Sequence, residues 1–294
     1  MRNIGILLII VMTLTMVVGC YTKEQEVTIY YTFNQTVNGE SFDTEPMSTI
    51  AEPLPNDLKV GIYPLADSVF TANSDEVTTV REFYGEKLTY KQSRFTDSKT
   101  QSTDFNQIFD EYVSENRETR VEIIRHNGCV RRYSKKASVT TEQTRYDQNQ
   151  LQKIAEQFIL SIISPEEFSE YRLSTVQAPG ESIFDEYVFG YYREVCGIGT
   201  DETIGILVNT EGIVVEYTAN NLKKYSSLSK KITKEKLDTV ADIMKNQVNK
   251  AYPNARVYDK YHLTTDTSGN VYVQLGVSLP GDRRDCFIYM YAKA

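Results

Sequence analysis

The sequence predicts an α+β fold in which antiparallel sheets carry helices packed on one face. Two apolar stripes with a helical period lie far apart along the chain, and extended runs broken at glycine follow each of them. The composition agrees with many strands, because the 294-residue chain contains 21 Tyr and no Trp, and aromatic side chains favour strands. The recurring order of one helix followed by antiparallel strands indicates repeated structural units without a repeated sequence.

The N-terminus carries the marks of a secretory signal peptide. An uncharged apolar run of 15 residues, 4–18, follows Arg2, whereas a membrane-spanning helix needs about 20 apolar residues. The run ends in the letters VVGC, which resemble the lipobox of bacterial lipoproteins. The resemblance implies that Cys20 receives a diacylglycerol and becomes the first residue after residues 1–19 are removed. An ordinary signal peptide with a coincidental Cys and a retained signal anchor are the alternatives.

A lipid on Cys20 predicts a location on the extracytoplasmic side of a cell membrane, with the membrane as a partner. Two acyl chains hold a protein on a bilayer where one chain is marginal, since each buried CH₂ contributes about 0.8 kcal/mol. Without residues 1–19 the chain has 31 basic and 40 acidic residues. This net charge of −9 argues against nucleic acid as a partner and against a polybasic hold on anionic lipid.

Four parts are predicted after the signal peptide. The first combines a tether, a strand in EVTIYYTFNQTV and a linker that contains three of the eight prolines. A partial unit, a complete unit and a C-terminal helix with antiparallel strands follow. The predicted boundaries are 20–58 for the tether and linker, 59–146 for the partial unit, 147–228 for the complete unit and 229–294 for the C-terminal part.

Two segments predict amphipathic helices whose stripes face a core. The first has Asp147 or Asn149 as its cap and ends at Ser164-Pro165, because residues before Pro avoid the helical region. The second has Thr233 as its cap and Pro253 as its stop. The stripes consist of Leu151, Ile154, Ala155, Phe158, Ile159 and Ile162 in the first helix, and of Leu237, Val240, Ala241, Met244 and Val248 in the second.

The segment 104–116 fits a helix, or Asp110–Val113 begins a strand that pairs with Thr119–Ile124; periodicity does not decide between them, and the helix is the preferred interpretation. Three hairpins are predicted at glycine-containing turns: Asn127-Gly128, Asn209–Gly212 and Ser268–Asn270. Asn-Gly is the strongest of these signals, because both residues tolerate a positive φ. Further strand candidates are Leu58–Leu65 and Lys87–Phe95.

Residues 149–222 resemble a PepSY-like domain of the YcdB/YcdC type, which is repeated in lipoproteins and membrane proteins of Gram-positive bacteria. The resemblance rests on the helix LQKIAEQFI, the strand YRLSTV and the segment YVFGYYREVCGIGTDETIGILVNTEGIVVEY. Residues 114–134 and 233–294 resemble weaker partial copies. Cys196 stands where the family often has a polar residue. The matching positions are Arg193, Gly197, Ile198, Ile204, Ile206, Val208, Gly212, Val214 and Tyr217.

This resemblance implies an α+β fold with a helix packed across an antiparallel sheet. It also implies that the protein binds or restrains an extracytoplasmic partner, such as a peptidase or a sensor kinase. The family has no shared catalytic residues to carry over. A binding or regulatory module without catalysis and without a cofactor is therefore the predicted function.

Motifs for catalysis are not found in the sequence. His126 and His262 lie 136 residues apart and do not have the spacing of metal ligands. Neither a Gly-x-Ser-x-Gly elbow nor a P-loop occurs. Several acidic pairs leave an extracytoplasmic hydrolase as one alternative, and a passive structural surface lipoprotein is the other. The acidic pairs are Glu166-Glu167, Asp185-Glu186 and Asp201-Glu202.

The candidate partner-binding residues are Arg125, Arg131, Arg132 and Tyr192. The arginines belong to the one basic cluster of an acidic chain, RHNGCVRRYSKK. This cluster is either a hairpin face that blunts a sheet edge or a docking patch for an anionic cell-wall polymer or an acidic partner. Tyr192 lies on a strand whose aromatic residues alternate, and a sheet face left open by helices is the predicted binding face. Stacking of neighbouring units on that face is the alternative. The strand places Tyr187, Phe189 and Tyr191 on one side and Val188 and Tyr192 on the other.

Three cysteines follow Cys20 in the sequence, namely Cys129, Cys196 and Cys286. An odd number in an oxidising compartment allows one disulfide with an undetermined pairing. Three buried thiols that pack as small apolar groups are the other interpretation.

Overall fold

The computed structural model does not describe every residue. Several predictions lie outside the described residues: the signal peptide, Cys20, the strand candidate Leu58–Leu65, His126 and the tip of the third hairpin at 267–269. The described residues are 25–31, 50–54, 78–95, 108–125, 127–137, 145–220, 222–226, 232–266, 270–280 and 285–294.

Strands dominate this part of the chain, with 51% of the described residues in strands and 18% in helices. They form one large mixed sheet of 14 strands. The predicted class, an α+β fold of antiparallel sheets with helices packed on one face, is therefore wrong. A helical stripe identifies a helix, but it does not reveal that three or four strands follow each long helix or that the resulting units share one sheet.

Among the described residues, seven strands precede the first helix: β1 (Ile29–Tyr31), β2 (Ala51–Pro53), β3 (Val80–Phe83), β4 (Glu86–Phe95), β5 (Ile108–Ser114), β6 (Thr119–Ile124) and β7 (Val130–Lys135). Next come α1 (Gln148–Leu160), α2 (Pro165–Phe168), β8 (Tyr171–Gln177), β9 (Tyr187–Val195), β10 (Ile198–Val208) and β11 (Val214–Asn220). The chain ends with α3 (Lys234–Ala251), β12 (Arg256–Thr265), β13 (Val271–Leu279) and β14 (Cys286–Lys293).

The sheet has two stretches that meet at β10. The nine-strand part runs in the order β3-β4-β5-β6-β7-β11-β10-β9-β8 and is antiparallel throughout. The five-strand part runs β2-β1-β14-β13-β12, with β1 and β2 parallel. A parallel pairing of Thr200 with Leu263 joins the two parts, so the sheet as a whole is mixed.

The segment 104–116, for which a helix was favoured, contains strand β5, and the helix prediction is wrong. Residues 108–114 pair with both β4 and β6. The apolar residues at 108, 109, 112 and 113 fit either period. The acidic residues between them, Asp110 and Glu111, are buried in the sheet and paired with arginines. On a helix they would have been exposed.

Local end signals are confirmed for both long helices. Asp147 caps α1 in a capping box with Gln150, and Thr233 caps α3. Helix α1 ends at Leu160 rather than at Ser164-Pro165, because Ser164 caps the short helix α2. The first two predicted hairpins are confirmed, with positive φ at Gly128 and Gly212.

Two large hydrophobic clusters hold the fold. The stripe of α1 packs with side chains of the nine-strand part, and Phe158 lies completely buried against the rings of Tyr133 and Tyr217. The stripe of α3 packs with β12, β13 and β14 through residues such as Met244 and Val273. Burying one such large side chain contributes about 1.5–3 kcal/mol.

Among the cysteines that the structure describes, none forms a disulfide. Cys129 lies in the cluster around α1 and Cys286 in the cluster around α3, whereas Cys196 is half-buried. Within the described ranges, no helix combines the length and the apolar character that crossing a bilayer requires.

Candidate functional site

The nine-strand part has a face directed away from α1, which we call the open face. Tyr112 and Tyr133 point to the other side, where they join Phe158 in a buried cluster. Successive side chains of a strand point to opposite faces. Their neighbours Glu111 and Arg132 therefore lie on the open face.

Two buried glutamates on neighbouring strands organise the open face. The carboxylate of Glu111 is completely buried and lies 3.0 Å from Lys91 Nζ, Arg94 Nε and Arg120 Nε. Arg120 also reaches Glu122, with 2.6 Å between Nη2 and Oε1. Each carboxylate is thus covered by cationic side chains, which makes burial of its charge tolerable.

The ion pairs continue across the sheet towards β11. Arg131 Nη1 lies 2.9 Å from Glu122 Oε2, and Arg132 Nη2 lies 3.0 Å from Glu216 Oε1. The Arg131 guanidinium also lies over the ring of Phe109, 4.9 Å from its centroid. We call the whole group the ion-pair layer; it consists of Lys91, Arg94, Glu111, Arg120, Glu122, Arg131, Arg132 and Glu216.

The ion-pair layer is positively charged, since it has five cationic residues and three carboxylates. Burial opposes ionisation of Glu111, but hydrogen bonds from Gln92 and Lys91 and the charges of Arg120 and Arg94 outweigh it and lower the pKa of Glu111. Glu111 therefore stays ionised at neutral pH. Nearly half of the side-chain surface of Arg132 remains exposed, so positive charge reaches the surface of an otherwise acidic chain.

The structure separates the predicted partner-binding residues. Arg131 and Arg132 lie together in the ion-pair layer. Arg125 does not belong to it, because its guanidinium is largely buried and pairs with Asp110 Oδ1 at 2.5 Å. Tyr192 lies on the open face, but on β9, three strand spacings or about 14 Å from β7.

Two facing glycines lie between Tyr192 and the ion-pair layer. Gly190 on β9 pairs directly with Gly205 on β10. A Cβ at Gly190 would lie 3.1 Å from Thr175 Cβ, and one at Gly205 would lie 3.1 Å from Thr218 Oγ1. The open face is therefore shallow between β8 and β11, because neither glycine has a side chain. Sequence reasoning missed it because the pairing of two separate glycines depends on strand register.

Tyr192 lies next to a histidine that is distant in sequence. A Cβ at Gly199 would lie 3.1 Å from Tyr192 Cε2 and 3.2 Å from His262 Nδ1, so the absence of a side chain lets the two rings approach. The Tyr192 hydroxyl donates to Glu194 Oε1 at 3.3 Å. Burial, with a smaller contribution from Lys260, lowers the pKa of His262, which keeps its imidazole neutral at pH 7.

A second buried charged group lies where the two parts of the sheet meet. Arg193 Nη1 lies 3.2 Å from both carboxylate oxygens of Glu202, and Arg193 Nη2 lies 2.6 Å from Glu170 Oε2. The Tyr171 hydroxyl and the backbone N–H of Lys223 also donate to Glu202. Burial raises the pKa of Glu202 against the opposing effects of Tyr171 and Arg193.

An open polar cavity of about 480 Å³ lies at the end of β4, β5 and β6. The Lys135 ammonium there pairs with Glu86 at 2.5 Å, and the Ser114 hydroxyl donates to Asn116 at 2.6 Å. The described lining contains no histidine or cysteine beside Ser114 that could activate it as a nucleophile. Across the residues that the structure describes, no group of three or more His, Cys, Asp and Glu residues is arranged to hold a metal ion.

The fold and the open face define a predominantly β protein with a charged, solvent-facing sheet surface. The family model of the YcdB, YcdC repeated domain matches residues 75–221, which is half of the chain. The chain belongs to this family. The match supports the PepSY-like domain predicted from the sequence, and PepSY-like domains are typically non-catalytic.

Comparisons with solved structures and with curated protein sequences are less informative. The C-terminal domain of YpeB from Bacillus megaterium aligns with 67% of this chain and 83% of its own, at 14% sequence identity and a TM-score of 0.32. So low a TM-score does not establish a shared fold. No curated protein sequence matches the chain.

Proposed function

We propose that this protein is a lipid-anchored extracytoplasmic module that binds an acidic protein partner through the open face, without catalysing a reaction. The family suggests an extracytoplasmic regulatory or binding module. The observation that carries the proposal is the ion-pair layer, which places surplus positive charge on the surface of an acidic chain.

The cations of this layer divide into two roles. Arg120 and Arg131 cover the buried carboxylates of Glu111 and Glu122, so they hold the strands in register. Arg132 pairs with Glu216, which is itself partly exposed. Arg132 can therefore exchange its partner for a carboxylate of another protein without leaving a buried charge uncompensated, and charge complementarity of this kind steers association.

Arg132→Glu tests this role with little risk to folding, because an exposed ion pair contributes at most about 1 kcal/mol. A photoreactive amino acid in place of Tyr192 captures whatever docks on the open face in intact cells. We expect capture of an acidic extracytoplasmic protein, reduced by high salt and by Arg132→Glu. The matched control is Lys153→Glu on the exposed side of α1. Equal capture by Arg132→Glu and Lys153→Glu contradicts the proposal.

The absence of catalysis has its own test. The purified protein is assayed against peptide and glycan substrates, and each exposed acidic pair is replaced by the corresponding amides. Hydrolysis that one carboxylate substitution abolishes would show an enzyme and overturn this part of the proposal.

The anchor part of the proposal rests on Cys20 alone. Cys20→Ala should abolish lipidation and leave an uncleaved precursor, because only a thiolate accepts the diacylglycerol as a thioether. Metabolic labelling with a fatty-acid probe, followed by membrane fractionation, measures both effects. Equal labelling of the wild type and Cys20→Ala contradicts the anchor, whatever the outcome of the capture experiment.

A further inference from the structure

The face of β12, β13 and β14 that is directed away from α3 carries three exposed aromatic rings, which we call the aromatic patch. Tyr258, Phe287 and Tyr289 are 38–40% exposed. The rings of Tyr258 and Phe287 are 5.6 Å apart, and those of Phe287 and Tyr289 are 5.0 Å apart, both edge to face. The patch is therefore one continuous surface rather than three scattered side chains.

A glycine and a cation shape this surface. A Cβ at Gly276 would lie 3.0 Å from Phe287 Cζ, so glycine leaves the space that the Phe287 ring occupies beside β13. The guanidinium of Arg256 lies over the Tyr258 ring, 5.1 Å from its centroid. Lys260 is also exposed, two residues after Tyr258 on the same strand. Aromatic rings beside cations are typical of side chains at the interface between a membrane and water.

The position of the N-terminus relates this patch to the membrane. Val27 is fixed to α3, because its N–H donates to Gln247 Oε1 at 2.8 Å and its carbonyl accepts from Gln247 Nε2 at 3.1 Å. Strand β1 then pairs with β14, with Tyr30 opposite Tyr291. Val27 lies seven positions after Cys20, and this length of chain spans at most about 25 Å.

The five-strand part therefore lies next to the bilayer whenever Cys20 is lipidated. Val27 lies on the α3 side of the sheet, whereas Tyr289 lies on the other side, two residues or about 7 Å from Tyr291 along β14. A segment as long as 20–27 can pass the edge of the sheet, so the patch can reach the same membrane surface. The nine-strand part is joined at the junction where Thr200 pairs with Leu263, on the far side of β12 from β1.

We propose that the aromatic patch rests on the phospholipid bilayer, with its rings at the level of the lipid headgroups, as a second membrane contact beside the lipid anchor. Tyrosine suits this position, since its ring is apolar and its hydroxyl reaches water. The inference relies on the proposed lipidation of Cys20 for the orientation of the molecule and does not depend on the open face binding a partner. Contact through the patch fixes the tilt of the five-strand part, which a single point of attachment leaves undetermined.

The absence of tryptophan from the chain allows a direct test in the full-length lipidated protein. Phe287→Trp introduces a single indole into the patch. The matched control is Phe184→Trp, because Phe184 is equally exposed, at 39%, but lies in the loop between β8 and β9. Both proteins are reconstituted into vesicles of phosphatidylethanolamine and phosphatidylglycerol that contain brominated phospholipid.

We expect brominated lipid to quench the indole of the Phe287→Trp protein severalfold more strongly than that of the Phe184→Trp protein. Equal, weak quenching of vesicle-bound protein overturns the proposal. If lipidation fails, the intact mass of the protein lacks the diacylglycerol, so the two failures are distinguishable. An indole that responds to added glycan or peptide but not to brominated lipid assigns the patch to another ligand and also overturns the proposal.

A second measurement uses the unlipidated chain without its signal peptide, residues 20–294, because the apolar run at residues 4–18 would bind vesicles by itself. In the Cys20→Ser background, Phe287→Ser with Tyr289→Ser should reduce co-sedimentation with the same vesicles severalfold. Ile183→Ser with Phe184→Ser, which removes apolar side chains at least as exposed from the β8–β9 loop, should leave co-sedimentation unchanged. Equal losses in both double variants would indicate nonspecific adsorption and contradict the patch.

Discussion

Removing the cation from the junction between the two parts of the sheet should destabilise the protein strongly. Arg193→Met leaves the carboxylate of Glu202, which is completely buried, without its only cationic contact among the described residues. Removing one partner of a buried ion pair typically costs about 3–5 kcal/mol. The Tyr171 hydroxyl and the backbone N–H groups of Lys223 and Tyr225 still donate to Glu202. We therefore expect a loss at the lower end, about 3 kcal/mol.

The stability lost in Arg193→Met should increase as the pH rises. Burial raises the pKa of Glu202 in the folded wild type, and removal of Arg193 raises it further. Between the unfolded pKa and the folded pKa, the folded protein binds more protons than the unfolded protein, so stability falls as pH rises. Arg193→Met should therefore be most destabilising at pH 8 and less destabilising at pH 5.

Urea unfolding monitored by far-UV circular dichroism and tyrosine fluorescence measures these effects. The matched control is Arg172→Met on the neighbouring strand β8, where the pair with Glu194 is 3.1 Å long and half-exposed, so we expect a loss below about 1 kcal/mol. Glu202→Gln added to Arg193→Met should recover much of the stability, since it removes the buried charge. Equal, pH-independent losses for Arg193→Met and Arg172→Met would refute the reasoning.

Three further substitutions test the fold. Gly212→Val should lower the free energy of unfolding by more than about 1 kcal/mol, because φ is +80° and a Cβ would lie 2.9 Å from Ile154 Cδ1 and Tyr146 Cε2. An unchanged urea midpoint would contradict the positive φ of this turn. Phe158→Ala should cost about 3–5 kcal/mol by leaving a cavity between four aromatic rings, and a loss below about 1 kcal/mol would contradict its place in the core. Asp147→Ala should lower the free energy of unfolding by about 1 kcal/mol through loss of the capping box. Urea unfolding measures this loss, and Asp147→Asn should retain most of the stability.

The features that could be predicted from the sequence depend on neighbouring residues. The caps Asp147 and Thr233 act on backbone N–H groups within three residues, and the Gly212 turn is closed by Asn209. Alternation along β9 also predicted correctly that Tyr192 faces away from Tyr191, which is buried against α1. Such signals act over a few residues, so a single sequence contains them.

The features that could not be predicted depend on pairings between distant residues. The parallel pairing of Thr200 with Leu263 joins strands 63 residues apart, and no local pattern encodes it. In the candidate site, Arg131 and Arg132 lie together because they are neighbours in the sequence. Their partners Glu122 and Glu216 are defined by strand register, so the sequence could not separate structural arginines from the exposed one.

The junction also fixes how the open face is oriented relative to the aromatic patch. The Tyr225 hydroxyl lies within hydrogen-bond distance of two acceptors, the carboxylate of Asp201 on β10 and the carbonyl of Leu263 on β12, the latter at 3.0 Å. The backbone N–H of Tyr225 donates to Glu202, so this one residue connects the buried ion pair to both parts of the sheet. If the aromatic patch lies on the bilayer, the same contacts hold the open face at a fixed angle to the membrane. Partner capture should then depend on the junction even in molecules that remain folded, because a partner anchored in the same membrane meets the open face only at that angle.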